Sequence, residues 1–444
     1  MISSYRADST FEVRPDRSDL TLETALAATP FGYLGNPQFF SGFLSRPEIT
    51  AAALLTVADV ASARYFDLAA VRARSLDPVV TASGDQLRFE SFSACNGVHA
   101  RLDILSSGID SGEVSFGTTN VDINQPLRTA LAKLGRDQLV HLAVGADALS
   151  MSTIDDHHVE RQVEMPDRWI RGFAETPGIA QRMTLRGTLP GNAIGPFLSE
   201  LPKGAPGPSY HFAATPAGLR RSVRPMTDSV HLAGTARLSA ATRVARYATS
   251  LNVYGNDDGA SGWVFELPGA RLTLLLSPEP YRGFSGEGGL LDDLARSPSA
   301  AAATQLSELL AWETIVNPAA LAEQSGLTLH DVRGGLSHLA ASGTIGFDLT
   351  EQAWFHRELP IDPDRVIRDN PRLVAARMLV ESRAIAKTGD TWVVATGDHH
   401  HYVDRLHDGF RCSCLWWAKY VGRRGACKHI LAVTISEGLT ASLE

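Results

Sequence analysis

Three of the chain's four cysteines fall within sixteen residues, and a histidine follows at once: Cys412-Ser-Cys414, twelve residues, then Cys427-Lys-His429. Four cysteines among 444 residues cannot make a disulfide scaffold, and ordinary core thiols would be scattered rather than gathered. Zinc takes four nitrogen or sulfur ligands in a tetrahedron, and three thiolates with one imidazole are a common closed set. Cys412 and Cys414, as alternate residues of an extended strand, share one face. Ile430, Leu431, Val433, Thr434 and Ile435 predict a helix ending at Gly438, which puts Cys427 and His429 at its N-terminal edge. Trp392–Ala395 and His401–Leu406 alternate as strands, while His399, His400 and His401 read as an exposed turn outside the ligand set. Four ligands leave no open position for water. The expected ion is therefore one structural Zn2+, contributing roughly 10 kcal/mol or more to the folding of this unit alone.

A C-x-C, a variable spacer and a C-x-H, preceded by the Trp392-Val393-Val394 strand, resembles the SWIM zinc finger. The resemblance covers about the last fifty residues and implies a ββα unit that binds protein or DNA. Four further stretches, Phe89–Asp103, Gly117–Asn124, Pro166–Glu175 and Tyr281–Gly288, are similar to larger bacterial proteins that carry such a finger at the C-terminus. That similarity implies a bacterial source and a partner such as an AAA+ ATPase or a von Willebrand A-domain protein.

The length calls for several domains, and 44% hydrophobic with 20% charged residues is ordinary globular composition. The expected class is α+β: a first α+β unit over 1–200, a second over 201–296, a winged-helix-like domain over 297–360 and the zinc finger domain over 361–444. Ala-rich Pro47–Tyr65 predicts a helix; Leu87, Phe89 and Phe92, then Val98, Ala100 and Leu102, predict strands around Cys95, read as a small buried residue. Residues 117–175 and 228–287 suggest an internal repeat, each running strand, helix, strand, Gly, Asp, Pro and Arg-Gly-Phe; the second helix is expected over Ala236–Tyr247. Chance agreement of common elements is the competing explanation.

Within 297–360, Ala302–Ile315 predicts one helix. Asn317 caps a second with Pro318 at its first position, ending at Gly326, and Thr328 caps a third that stops at Gly343. Thr344–Leu349 and Ala353–Leu359 follow as a hairpin. The order resembles a winged helix-turn-helix, whose recognition helix would offer His330, Arg333, Ser337 and His338. Pro318–Glu358 nevertheless carries two arginines against five acids, a surface that phosphates would repel, so a structural or protein-docking role is expected.

Charge divides the chain. The whole carries −8, whereas Tyr402–His429 holds six cations against two acids, a net of +4. Phe410, Trp416, Trp417 and Tyr420 are interleaved with Arg411, Lys419, Arg423, Arg424 and Lys428, a set that suits a protein partner or stacked nucleic acid. The polar Met1–Asp19 is not a signal peptide, and Ala51–Ala63 is too short to cross a bilayer and contains Asp59, so a cytoplasmic protein is expected. Enzymatic signatures are thin. Arg282–Gly289 lacks the Gly-Lys-Ser/Thr of a phosphate loop, and Asp155, Asp156, His157 and His158 read as a polar loop. The leading expectation is a non-enzymatic adaptor or regulatory interaction protein. The alternatives are a nucleic-acid-binding regulator acting through the finger, and an enzyme whose active site would need a polar pocket around Arg171, Arg282 and Glu287.

Overall fold

The computed structural model describes residues 2–5, 8–35, 37–65, 77–136, 138–145, 161–204, 207–216, 218–281, 283–284, 291, 295, 299–359, 371–407, 409–422 and 425–441. Its class is α+β. The largest element is an antiparallel ten-stranded sheet in the order Thr184–Pro190, Ser250–Gly255, Ser261–Leu267, Ala270–Leu276, Val98–Ile104, Leu87–Phe92, Val79–Ser83, Phe116–Asn120, Leu26–Thr29, Gly32–Gly35. Ala270–Leu276 pairs with Val98–Ile104 along its whole length, Leu272 opposite Leu102. One sheet thus runs without a break from residues below 200 to residues above 201. Among the described residues no helix is long and apolar enough to cross a membrane.

Helix Pro47–Ser62 lies on one face of this sheet, with Pro47 in its first turn where a missing N–H costs nothing. Leu54, Val57 and Val60 pack there in one core with Leu87, Phe89, Leu102, Leu272 and Phe265. Beside it, the α-helix expected over Ala236–Tyr247 is a 3-10 run over Thr235–Arg243. Arg237 turns inward from that run and donates to the carbonyls of Ala233, Gly97 and Ser277 and to Ser277 Oγ. This tertiary demand is absent from local propensity. The two segments suspected of repeating also take different places. Val140–Val144 pairs in parallel with Ser18–Leu22 in a separate five-stranded sheet, whereas Ser250–Gly255 is antiparallel in the large one.

The other face of the sheet is charged and buried. Along Leu87–Phe92, Arg88 and Glu90 alternate with Leu87 and Phe89, as a half-exposed strand would read, yet all six residues are buried. The cover is the hairpin Ile345–Asp348/Ala353–His356, with helices Asp167–Ala180 and Leu329–Ser342 packed beside it. Arg88 reaches Asp103 at 2.5 Å and Asp348 at 3.1 Å; Arg101 reaches the same two acids at 2.9 and 2.8 Å. Arg357 meets Glu90 at 3.0 Å, and Glu90 meets His99 at 3.2 Å. Burial alone would push the Asp348 carboxyl up, but Arg101 and Arg88 hold it below its ordinary value; Glu90 is held down likewise by Arg357 and His99. The Phe355 ring lies 3.6 Å beneath the Arg88 guanidinium.

The helical stops expected between 317 and 343 are in place. Asn317 accepts from the amides of Ala319 and Ala320, Thr328 accepts from Asp331 N, and Gly326 and Gly343 take φ of +71° and +81°. The preceding helix is shorter than expected, Ser299–Ser307 instead of Ala302–Ile315. The chain leaves it because Trp312, at φ +62°, donates its amide to His356 Nδ1 and stacks on that ring.

Residues 371–441 build a third core. A four-stranded sheet, Ile385–Thr388, Thr391–Thr396, His399–Leu406 and Gly409–Cys412, packs Trp392, Val394 and Val403 against Leu431 and Val433 of helix Lys428–Ala441. That helix runs past Gly438, where the sequence suggested a stop, because it lies along helix Pro371–Glu381. Ala174 and Ala341 of the body share this core.

Candidate metal centre

Each of the four cysteine and histidine positions is set by a different local device. Cys412 ends the strand Gly409–Cys412, opposite Val403, so its side chain is turned by the pleat toward the core. Cys414 is still extended but caps helix Leu415–Tyr420, its sulfur accepting from Trp417 N at 3.5 Å. Cys427 precedes helix Lys428–Ala441, and its sulfur accepts from Ile430 N at 3.5 Å. His429 sits in the first turn of the same helix. Two helix N-termini therefore aim their free amides at sulfur, an arrangement that favours thiolate.

The four ligand atoms all lie within 4.8 Å of one another, and all four residues are buried. His429 Nδ1 stands 3.7 Å from Cys412 Sγ and 3.9 Å from Cys427 Sγ. Bonds of roughly 2.3 Å to sulfur and 2.0 Å to nitrogen at tetrahedral angles place such atoms roughly 3.5–3.8 Å apart. The donor set and its spacing fit a zinc ion. Left to share protons, the three thiols diverge. Hydrogen bonds from Cys412 and Cys427 pull Cys414 down, and donating to Cys414 pushes Cys412 up to about 11. His429 Nε2 faces Thr396 Oγ1 at 3.4 Å, a partner that would fix the ring's orientation and tautomer.

The sequence did not single out Thr396, which ends a strand before the turn at Gly397 and carries no motif of its own. His399, His400 and His401 do not form a turn. They lie on the strand His399–Leu406, paired with Ala395 and its neighbours, because Gly397 at φ +58° makes the reversal instead. His401 stacks on His429 with ring centroids 4.0 Å apart. Partial burial, then the neighbouring His429, holds His401 below the ordinary imidazole value.

The candidate contact residues are partly engaged. Arg411 pairs with Asp404 at 2.9 Å. Trp416 donates from its indole to Gly425 O, carries the Arg372 guanidinium over its ring and packs on Tyr420. Trp417 and Lys428 are half-buried, and Lys419 is exposed. Arg423 and Arg424 lie outside the described residues, as do Asp155, Asp156, His157, His158, Arg282 and Glu287. Arg171 is exposed on helix Asp167–Ala180.

No curated protein matches the chain. Among solved structures, the crystal structure of Proliferating Cellular Nuclear Antigen from Entamoeba histolytica aligns with 55% of this chain and 100% of that chain, at 10% identity and a TM-score of 0.34. The family model of the SWIM zinc finger matches residues 411–438, the span that contains all four clustered ligands. Residues 411–438 of this chain are a SWIM zinc finger.

Proposed function

We propose that the chain is a non-enzymatic adaptor or regulatory interaction protein, whose SWIM finger is held by one structural Zn2+ on Cys412, Cys414, Cys427 and His429. The observation that carries this reading is the closed, buried Cys3His set. Four protein ligands leave no coordination position for water or substrate, and the ion's role is to tie the strands of the finger to its terminal helix.

Residues 297–360 act in this reading as a winged-helix-like packing unit rather than a DNA reader. Its hairpin is buried against the charged face of the large sheet, and on helix Leu329–Ser342 Ser337 is buried and His338 half-buried. A reading helix must present those positions to a groove. The units 1–200 and 201–296 then serve as one scaffold through their shared sheet.

The test is capture of partners from native lysate by the full chain, with Cys427→Ser as control. A protein captured by the wild type and lost with the variant supports the reading. Nucleic acid is the competing partner of the finger, through Arg411, Trp416, Trp417, Lys419, Arg423, Arg424 and Lys428. Binding of labelled DNA that falls steeply with salt would favour it; no binding at low salt removes it.

A further inference from the structure

The small three-stranded sheet of the body ends in an open edge. Its order places Tyr210–Thr215 in the middle, with Val230–Leu232 on one side and Gly218–Ser222 on the other. Gly218–Ser222 pairs with Tyr210–Thr215 throughout, Arg221 opposite Phe212 and Arg220 opposite Ala213. Among the described residues no main-chain bond reaches Leu219–Val223 from any other strand or loop. Alternate residues of such a strand turn their N–H and C=O away from the ladder, so the free side is a row of donors and acceptors.

That edge is basic. Residues 201–227 hold Lys203, Arg220, Arg221 and Arg224 and no acid, in a chain whose net charge is −8. The three arginines are exposed. Alternation puts Arg221 on the face of buried Phe212 and Arg220 on the opposite face, so the strand carries a guanidinium on each. Arg220 reaches the sulfur of Met226 at 3.5 Å, and Arg221 lies 4.7 Å from the Tyr210 ring. Among the described residues none of the three arginines meets a carboxylate. Asp228, the next acid along the chain, is held by Arg186 at 2.6 Å.

We propose that strand Gly218–Ser222 takes an extended acidic segment of a partner protein as a fourth strand of this sheet. The proposal rests on the interaction-protein reading above and names the partner's chemistry. Charge selects the occupant. A second copy of the same edge would bring arginine against arginine and be repelled, whereas an acidic strand gains opposite-charge pairs across the new ladder. Main-chain bonds would supply affinity and the guanidinium groups the choice of partner. A phosphate backbone would also be drawn to the arginines, but it only accepts hydrogen bonds and would leave the outward carbonyls of the strand unpaired.

The experiment measures fluorescence anisotropy of a short labelled peptide of alternating glutamate and valine, titrated with the full-length zinc-loaded chain at physiological ionic strength. Arg220→Glu/Arg224→Glu should weaken binding about tenfold, and exchanging the peptide's glutamates for lysines should restore it in that variant. Lys419→Glu, at an exposed cation of the finger, should leave binding unchanged. Two further peptides carry methyl groups on alternate main-chain nitrogens, in one phase or the other, and keep every charge. One of the two phases should bind about tenfold more weakly, since it lacks the donors the edge needs. Equal losses from the edge pair and from Lys419→Glu, or full binding by both methylated peptides, overturns the proposal. So does an edge pair that abolishes binding of labelled single-stranded DNA and spares the peptide. A partner captured from lysate whose retention ignores the edge variants also sinks the edge while leaving the adaptor reading intact. Edge-dependent peptide binding with no captured partner supports the edge and counts against the adaptor reading.

Discussion

Arg88 and Asp348 stand 260 positions apart in the chain and meet at 3.1 Å, both side chains almost wholly removed from water. Asp348 also holds Arg101 and lies 3.8 Å from Arg271, so one carboxylate compensates several buried or half-buried cations. Taking one partner from such a cluster strands the others without solvent. Asp348→Ala should therefore lower stability by roughly 3–5 kcal/mol. Chemical denaturation followed by tryptophan fluorescence checks this against Arg333→Ala, an exposed change that should fall within about 0.5 kcal/mol of wild type. Equal stability of the two variants would mean that the hairpin is not fastened by its charges.

Zinc removal should act locally. A strong chelator, or Cys427→Ser, should release one equivalent of zinc per chain and raise amide exchange across residues 391–441. The exchange of the large sheet should stay near its starting value. The finger's own core is small, and a structural zinc contributes roughly 10 kcal/mol or more to such units. Metal analysis with exchange mass spectrometry reads both effects. A sub-stoichiometric metal content in folded wild-type protein would contradict the closed site.

Acid should weaken the hairpin through His356. Burial holds its imidazole at about 4, against an ordinary 6.5, and its Nδ1 must accept from Trp312 N at 2.8 Å. Below pH 6.5 the unfolded chain gains a proton that the folded chain refuses, so stability falls as pH drops from 6.5 to 4. The loss reaches about 3 kcal/mol and vanishes above that window. His356→Gln keeps an acceptor but does not titrate, so the difference between the two pH profiles isolates the effect. Parallel profiles would remove His356 as its source.

Helices Ser299–Ser307 and Leu329–Ser342 cross at Gly335, where an added Cβ would lie 2.7 Å from Leu306 Cδ1 and 3.2 Å from the Ala302 carbonyl carbon. Gly335→Val should cost about 1–3 kcal/mol by forcing the helices apart. A thermal melt of that variant beside Gly326→Asn, a surface position that keeps a residue tolerant of positive φ, checks it. An unchanged melting point for Gly335→Val would show that the crossing can yield.

The sequence by itself determined whatever depends on near neighbours. Asn317, Thr328, Gly326 and Gly343 stop and start helices with groups within four residues of themselves. The spacing of Cys412, Cys414, Cys427 and His429 singles out the metal cluster because a tetrahedron of soft donors leaves few alternatives. Only the tertiary structure decided that the polar face of Leu87–Phe92 and Val98–Ile104 is interior, since alternating Arg, Glu and Asp read the same whether water or Asp348 and Arg357 lie opposite. It also decided that the helix toward Trp312 ends early, that His401 stacks on His429, and that Lys419 shares a cleft with His211 and His231. Each of these depends on a contact between residues remote in the chain, and such a contact's energy is written in neither segment alone.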